Sequence, residues 1–387
     1  MTPNVIQQNL SLNDRFCHSL VPYICHTLMD PSTISWSSRL LSLFPNIISP
    51  GLGFDFSLGD KSKATDLSFY LNAGDSLDIL AGRHKDRTLP DQITQIPAWK
   101  RLAKFGDSWS DLWLDSIESL WLEFGKSLCL KDSLVPRFFV KINASQCQEK
   151  TVKYMITQHY TPILELITGK KWSHFFDDYL FCFWKDWPVE ASIFQLGTHA
   201  EALSHEIRIC IRGIALQQMK SFLSSRGWSK IGEVDYVIEK FGPLVNRIDL
   251  ALDVNIYGIN RVGLECHVDN GLKDFDNWLP LLNTLLSNGL LTKGKMSALQ
   301  VFPGSTNDLR ENKSFQSNRV PDFVILGCQR WLHHIKFAIK ENSPVLAKAY
   351  IGANQWGIPR KSWLTLIDAQ IKARKESGWT FSKSQRK

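Results

Sequence analysis

The sequence predicts an α+β fold in which repeated pairs of helices and pairs of strands build an antiparallel β-barrel inside a ring of helices. Segments in which apolar and polar residues alternate, as in a strand with one buried face, recur along the 387-residue chain. They come in neighbouring pairs, and strands joined by short loops must be antiparallel. Between these pairs the apolar spacing becomes helical.

The first third of the chain opens with two helices, predicted at Asp14–Met29 and Ser35–Leu43, and each is followed by a proline. Two strands follow at Gly53–Leu58 and Thr65–Ala73, where Phe and Leu alternate with Asp, Ser, Tyr and Asn. Segment Asp107–Lys126 (DSWSDLWLDSIESLWLEFGK) gathers its bulky apolar residues on one side of a helix, so we predict an amphipathic helix there.

The middle of the chain repeats this order. A strand at Arg137–Asn143 (RFFVKIN) precedes two helices, at Gln148–Thr168 and Trp172–Trp187. The next strand pair is predicted at Ala191–Leu196 and His205–Arg212 (HEIRICIR), and in the second strand three Ile residues oppose polar ones.

The last part starts with helices at Ala215–Arg226 and Glu233–Phe241. The clearest strand pair follows at Arg247–Val268 (RIDLALDVNIYGINRVGLECHV), joined by an Asn- and Gly-rich loop that is typical of hairpins. Further elements complete the prediction: helices at Phe275–Asn288 and Ser314–Leu326, and strands at His333–Lys340 and Val345–Ile351.

Two architectures accommodate this order. In an open sheet, helices would cover the apolar face and water the polar face. In a closed barrel, the apolar faces would point outwards into the helices and the polar faces would line a lumen. We favour the barrel because so many strands would otherwise leave long unprotected edges. The polar faces also mix Arg, Lys, Asp, Glu, Tyr and His, unlike a plain solvated surface.

The element order, with polar strand faces turned inwards, resembles the ABBA or PT-barrel prenyltransferases, which include indole and cyanobactin peptide prenyltransferases. Segment GFDFSLGDKSKATDLSFYLNAGD resembles the early hairpin of the peptide-modifying members, in which an acidic residue, here Asp55, follows a glycine and a hydrophobic residue. The late strand VLAKAYI resembles the K-x-Y strand of the indole enzymes, which implies a diphosphate-binding role for Lys348 and Tyr350.

The resemblance implies a prenyltransferase with an isoprenyl diphosphate as co-substrate. The acceptor would be an aromatic small molecule or a residue of a ribosomal peptide, in natural-product biosynthesis. No other cofactor is implied, and a Mg²⁺ requirement stays open.

The polar faces supply the residue types that this chemistry needs. Prenyl transfer must stabilise a leaving diphosphate, shield an allylic cation and take a proton from the acceptor. The candidates for holding the diphosphate are Lys141, Arg208, Arg212, Lys336, Lys348 and Tyr350. The candidates for shielding the cation are Tyr70 and Phe139. The candidate bases are Asp55, Asp249 and Glu265, and the alternative for each is a salt bridge to an Arg or Lys on the same face.

A nucleic-acid function is the main alternative. RIDLALD resembles the R-x-D-x-x-x-D strand of plasmid and phage replication initiators, and the net charge of +7 suits phosphate contact. Against it, the sequence has no HUH histidine pair, and its basic residues are scattered among acids. Two further alternatives are peptide acylation, for which no acyl-CoA loop is visible, and non-catalytic peptide binding.

Several catalytic classes are excluded by absent motifs. No DDxxD, GxxxxGK[ST], GxGxxG, HExxH or GxSxG is present. The dipeptides Cys17-His18 and Cys25-His26 do not predict a metal site, because adjacent residues of a helix point in different directions and no second ligand cluster follows.

We expect residues 1–360 to form one catalytic domain, because no Gly/Ser-rich or Pro-rich linker interrupts the pattern. Residues 361–387 are a basic tail that we expect to be partly disordered. No signal-peptide pattern and no apolar run of about 18 residues is visible, so we expect a cytoplasmic protein without a membrane segment.

Overall fold

Among the residues that this computed structural model describes, eleven strands form one sheet. The structure describes residues 12–45, 48–49, 51–59, 65–85, 87–109, 117–127, 130–143, 154, 156–172, 183, 186–201, 206–269, 271, 274–311 and 323–359. The strands are β1 (Gly51–Ser57), β2 (Thr65–Leu71), β3 (Ile117–Gly125), β4 (Arg137–Ile142), β5 (Ser192–His199), β6 (Ile207–Arg212), β7 (Arg247–Asn255), β8 (Gly258–His267), β9 (Gly304–Glu311), β10 (Phe323–Lys340) and β11 (Leu346–Pro359).

Ten of these strands close into a barrel. Each strand from β1 to β7 pairs with the next, β8 pairs with β10, β10 with β11, and β11 returns to β1. Every pairing is antiparallel, and β9 pairs with the first half of β10, before the stretch that pairs with β8. Closure protects the strand edges. The predicted barrel is confirmed, and the alternative open sheet is wrong.

Helices alternate with the strand pairs, as predicted, but the helix predicted at Asp14–Met29 is wrong beyond Ser19, where the α-helix ends. They are α1 (Leu12–Ser19), α2 (Pro31–Leu41), α3 (Asp75–Leu80), α4 (Asp91–Thr94), α5 (Pro97–Ser108), α6 (Leu130–Ser133), α7 (Thr161–Thr168), α8 (Leu216–Ser224), α9 (Ile231–Phe241), α10 (Leu279–Ser287) and α11 (Lys293–Val301). Asp30 begins α2 by accepting a hydrogen bond from the Thr33 backbone N–H at 2.9 Å. No helix within the described ranges has the length and apolar character that a membrane span requires.

The hydrophobic core lies between the outer barrel wall and the helices. Phe44, just after α2, packs its ring against Phe69 of β2, Trp99 of α5 and Phe124 of β3, with centroids 5.1, 5.5 and 5.8 Å away. All four side chains are buried. Burying each such side chain stabilises the fold by about 1.5 to 3 kcal/mol, so this layer holds the helices on the barrel.

The helix predicted at Asp107–Lys126 is wrong over most of its described part, because Ile117–Gly125 is strand β3. Leu120, Leu122 and Phe124 are fully buried, and the residues between them face the lumen. The apolar residues of this segment fit a period of 3.6 as well as a period of two. Pairing with β2 and β4 on both sides selects the strand.

The other predicted strands are confirmed; most of their ends differ by a few residues, but β10 and β11 are much longer than predicted. Strand β10 starts ten residues before the predicted His333, so the helix predicted at Ser314–Leu326 is wrong from residue 323 onwards. Its first part lies outside the described residues, as do most of the helix at Trp172–Trp187, the start of the helix at Gln148–Thr168 and the tail at 361–387.

Candidate active site

The polar strand faces point into the barrel. Glu265 on β8 lies opposite Asp249 on β7 and opposite Lys336 on β10, so these ionisable groups share the lumen. Its neighbours along the strand, Leu264 and Cys266, are fully buried in the outer core. The alternation in the sequence therefore places charged and aromatic side chains inside the barrel.

The lumen contains a cavity of about 530 Å³. Aromatic rings, cations and carboxylates share its wall. The residues that line it include Tyr70, Trp121, Glu123, Phe139, Lys141, Phe194, Arg208, Arg212, Arg247, Glu265, His267, Trp331, His333, His334, Lys336 and Tyr350. A volume of this size is typical of a small-molecule site, for which about 300 to 1,000 Å³ is usual.

Asp249 is the centre of an ionic cluster beside this cavity. Its Oδ2 accepts hydrogen bonds from Nε of Arg212 and Nε of Arg247, both at 3.1 Å, and His267 Nε2 lies 3.4 Å away. The carboxylate is fully buried, whereas the two arginines are partly exposed. Because Asp249 accepts hydrogen bonds from both guanidinium groups, it orients the two arginines.

Arg208 and Asp253 form a bidentate pair further along the same two strands, β6 and β7. Nε and Nη2 of Arg208 donate to the two Asp253 oxygens at 2.7 and 3.2 Å, and Arg261 lies 2.6 Å from the same carboxylate. Burial acts to lower the pKa of Arg208, but Asp253 holds it well above its usual range. The guanidinium also lies 5.4 Å from the Phe139 ring centroid. A protein cation therefore already occupies one face of this ring.

Lys336 holds Glu265 in the charged state. Its Nζ donates to Glu265 Oε1 at 2.9 Å, and both side chains are largely buried. Burial acts to raise the pKa of Glu265, but the charge of Lys336 outweighs it, and the pKa lies below its usual range. Lys141 makes a similar but more exposed pair with Glu118, at 2.6 Å.

Lys348 and Asp55 form another buried pair, 2.9 Å apart. The Asp66 backbone N–H donates to the second Asp55 oxygen at 3.0 Å. Burial raises the pKa of the Asp66 carboxyl to about 7, and the negative charges of Asp55 and Glu123 add to this effect. Near neutral pH, Asp66 is therefore partly protonated.

Three histidines stand together on the cavity wall. The Nδ1 atoms of His333 and His334 are 2.6 Å apart. The His334 ring stacks on Tyr350 with centroids 4.1 Å apart and an interplanar angle of 16°. The His267 ring lies 5.3 Å from His334 and 5.9 Å from His333.

The structure brings most of the predicted site residues together. Those on the cavity wall are Tyr70, Phe139, Lys141, Arg208, Arg212, Glu265, Lys336 and Tyr350. The other three, Asp55, Asp249 and Lys348, lie beside the cavity in buried ion pairs. For all three predicted bases, the salt bridge considered as the alternative is present.

Other cavity residues are missed by the sequence prediction. Trp121 and Glu123 fall in the segment predicted as a helix, so their strand register is hidden. Arg247 and His267 alternate with apolar residues in the predicted strand pair, and this signal could have identified them. Among the described residues, no cluster of three or more His, Cys, Asp or Glu side chains is arranged to hold a metal ion.

No protein-family model and no curated protein sequence matches the chain. Among solved structures, the apo form of the prenyltransferase PriB is similar at a TM-score of 0.50 and 11% identity, over 89% of this chain and 96% of that chain. The binary complex of PriB with product diphosphate is similar at a TM-score of 0.51 and 11% identity, over 88% and 96% of the two chains. The 6-dimethylallyltryptophan synthase from Micromonospora olivasterospora in complex with DMASPP and Trp reaches a TM-score of 0.49 at 12% identity, over 89% and 97%. The two PriB structures, together with the closed ten-stranded barrel, show that the chain has the PT-barrel fold.

Proposed function

We propose that this chain transfers an isoprenyl group from its diphosphate to an aromatic or heteroatom acceptor. The observation that carries the proposal is the lumen cavity of a closed barrel, whose wall combines cations with aromatic rings. PriB, a prenyltransferase of similar fold, has a structure in complex with product diphosphate. A barrel interior also limits the access of water to a reactive allylic cation.

The leaving diphosphate would be held by cations that keep donors free. Arg208 and Arg212 each use Nε and Nη2 on an aspartate, and within the described residues their Nη1 groups donate to no protein atom. Lys141 and Lys336 each donate to one glutamate, and an ammonium group has three donors. The carboxylates fix these cations in place before the ligand arrives, so little reorganisation is needed.

Ring faces would shield the allylic cation after the diphosphate departs. Tyr70 and Trp121 pack at 5.0 Å between centroids, and Trp331 lines the same cavity. Aromatic faces attract a desolvated cation by about 2 kcal/mol each. Phe194 is less available to shield the allylic cation, because the Arg212 guanidinium already lies over its ring, 4.4 Å from the centroid.

The proposed substrates are an isoprenyl diphosphate and an aromatic small molecule or peptide acceptor, with no further cofactor. The replication-initiator alternative is weakened by the placement of the RIDLALD carboxylates. Asp249 is fully buried and Asp253 nearly so, and each contacts two arginines. Neither is placed on the outer surface, where a duplex would bind.

A product assay tests the proposal. The purified protein is incubated with isoprenyl diphosphates of several chain lengths and with aromatic amino acids, indoles, phenols and peptides, in Mg²⁺ or in EDTA. We expect an acceptor that is heavier by one prenyl group, detected by mass spectrometry, together with released diphosphate. No product with any pair, combined with no measurable donor affinity, would contradict the proposal.

A matched pair of variants localises the reaction. Arg212→Gln removes a cavity cation, and loss of one charge-assisted bond of about 1.5 to 3 kcal/mol weakens diphosphate affinity by roughly 10- to 100-fold. Lys220→Gln removes the α8 cation of an exposed pair with Asp235 on α9 and leaves the affinity unchanged. Calorimetry with an unreactive thiolodiphosphate donor measures both.

A further inference from the structure

A β-bulge turns two consecutive histidines to the same side of β10. Neighbours in a regular strand alternate between faces, but the register between β10 and β11 shifts between Leu332 and His334, so His333 is the extra residue. Leu332 is fully buried in the outer core, whereas His333 and His334 both line the cavity. Bulges commonly re-aim side chains beside active sites.

The two histidines differ in exposure and in the partners of their ring nitrogens. His334 is 8% exposed and stacked on Tyr350. Its Nδ1 faces Nδ1 of His333 at 2.6 Å, and its Nε2 is buried without a hydrogen-bond partner among the described residues. His333 is exposed to the cavity. Because its Nδ1 contacts His334, its Nε2 is the ring nitrogen that remains for a ligand.

We propose that His333 accepts the proton that the acceptor loses, and that His334 positions the His333 ring; this inference rests on the prenyl transfer proposed above. The donor C–O bond breaks and its electron pair leaves on the diphosphate. The acceptor ring supplies the pair for the new C–C bond and becomes an arenium cation. Its C–H proton passes to Nε2 of His333, and the C–H pair restores the aromatic ring.

The candidate carboxylates are less suited to this step, because Asp55, Asp249 and Glu265 are all held by cations. Although the His333 ring faces the cavity, its enclosure by the barrel lowers its pKa to about 4, and the positive charge of a protonated His267 would act in the same direction. The ring is therefore neutral near pH 7 and can accept a proton. A weak base is sufficient, because an arenium cation is a very strong acid.

Charged and titratable groups surround His333 from five strands. They are Lys141 on β4, Arg247 on β7, Glu265 and His267 on β8, His334 and Lys336 on β10, and Tyr350 on β11. Glu265 opposes the depression of the pKa, and a bound diphosphate would oppose it further. The basicity of His333 is thus expected to rise when the donor binds.

The test is His333→Gln, which keeps a hydrogen-bonding side chain but cannot accept the proton. Turnover is expected to fall by roughly 100-fold or more, with unchanged affinity for the thiolodiphosphate analogue and an unchanged melting temperature. With an acceptor deuterated at the reacting carbon, kcat is expected to show a primary isotope effect larger than that of the wild type. In His333→Ala, added imidazole is expected to restore turnover.

Two further variants distinguish the positioning role of His334 from a nonspecific loss of activity. His334→Phe retains the stacking on Tyr350 but loses the contact to His333, so kcat is expected to fall by roughly 10- to 100-fold with KM unchanged. His26→Gln, at an exposed position outside the barrel, is expected to leave kcat unchanged. A prenylating wild type whose His333→Gln variant keeps full turnover and shows no isotope effect would overturn this inference alone. A wild type without prenyl transfer to any acceptor would overturn the proposed function and this inference together.

Discussion

Lys348→Met leaves the buried Asp55 carboxylate without its cation. The two side chains are 17% and 4% exposed, and Nζ lies 2.9 Å from Oδ2. Methionine has a similar length, so the substitution changes charge more than shape. Removing one partner of a buried ion pair costs about 3 to 5 kcal/mol, because the remaining charge stays away from water. We expect the free energy of unfolding to fall by this amount.

Asp55→Asn breaks the same pair but is expected to cost less. Burial acts to lower the pKa of Lys348, yet Asp55 and then Asp66 raise it, so Lys348 interacts with both acids. The pKa of Asp66 is about 7, mainly through burial and partly through the charge of Asp55. Without that charge Asp66 ionises more readily and compensates Lys348. The remaining loss is about 1 to 3 kcal/mol, that of one charged hydrogen bond.

Urea unfolding at about pH 7.5 measures the two single variants and the double variant. Lys348→Met/Asp55→Asn should be more stable than Lys348→Met alone, because it removes the Asp55 charge that Lys348→Met leaves unpaired. Lys220→Met, in an exposed pair, should change the unfolding free energy by less than about 1 kcal/mol. Equal losses for the two single variants, or a double variant less stable than Lys348→Met, would refute this reasoning.

Three other substitutions give further tests, one at an acidic residue of the lumen and two at glycines. Asp66→Asn is expected to stabilise the protein increasingly as the pH rises from about 4 to above 7, by at most about 4 kcal/mol. The raised pKa of about 7 means that ionised Asp66 destabilises only the folded state. Urea unfolding at pH values of about 5 and 8.5 measures the difference in unfolding free energy between the variant and the wild type. The same difference at both pH values would contradict the prediction. Gly197→Ala places a Cβ 1.9 Å from the Phe138 backbone oxygen, which cannot move aside, so we expect a loss of about 1 to 3 kcal/mol. Gly232→Ala in α9, where a Cβ meets nothing within 4 Å, should be neutral or gain up to about 1 kcal/mol by thermal unfolding.

Much of the candidate site could be predicted because alternation along a strand is a local property. Arg208 and Arg212 share a face of β6 in any fold that buries Ile207, Ile209 and Ile211 on the other. The same reasoning identified eight of the cavity-wall residues without knowledge of strand order. It failed at Trp121, where one apolar pattern fits both a helix and a strand.

The sequence by itself determined which faces of the strands are polar, and the protection of strand edges argued for closing them into a barrel. Only the tertiary structure decided which charges neutralise each other, since Lys348 and Asp55 are 293 residues apart in sequence and meet because β11 closes on β1. It also decided that His333 faces the lumen, because a bulge depends on the register with the partner strand. A local pattern specifies the face of a side chain, whereas its partner and its pKa depend on strands that only the closed barrel brings together.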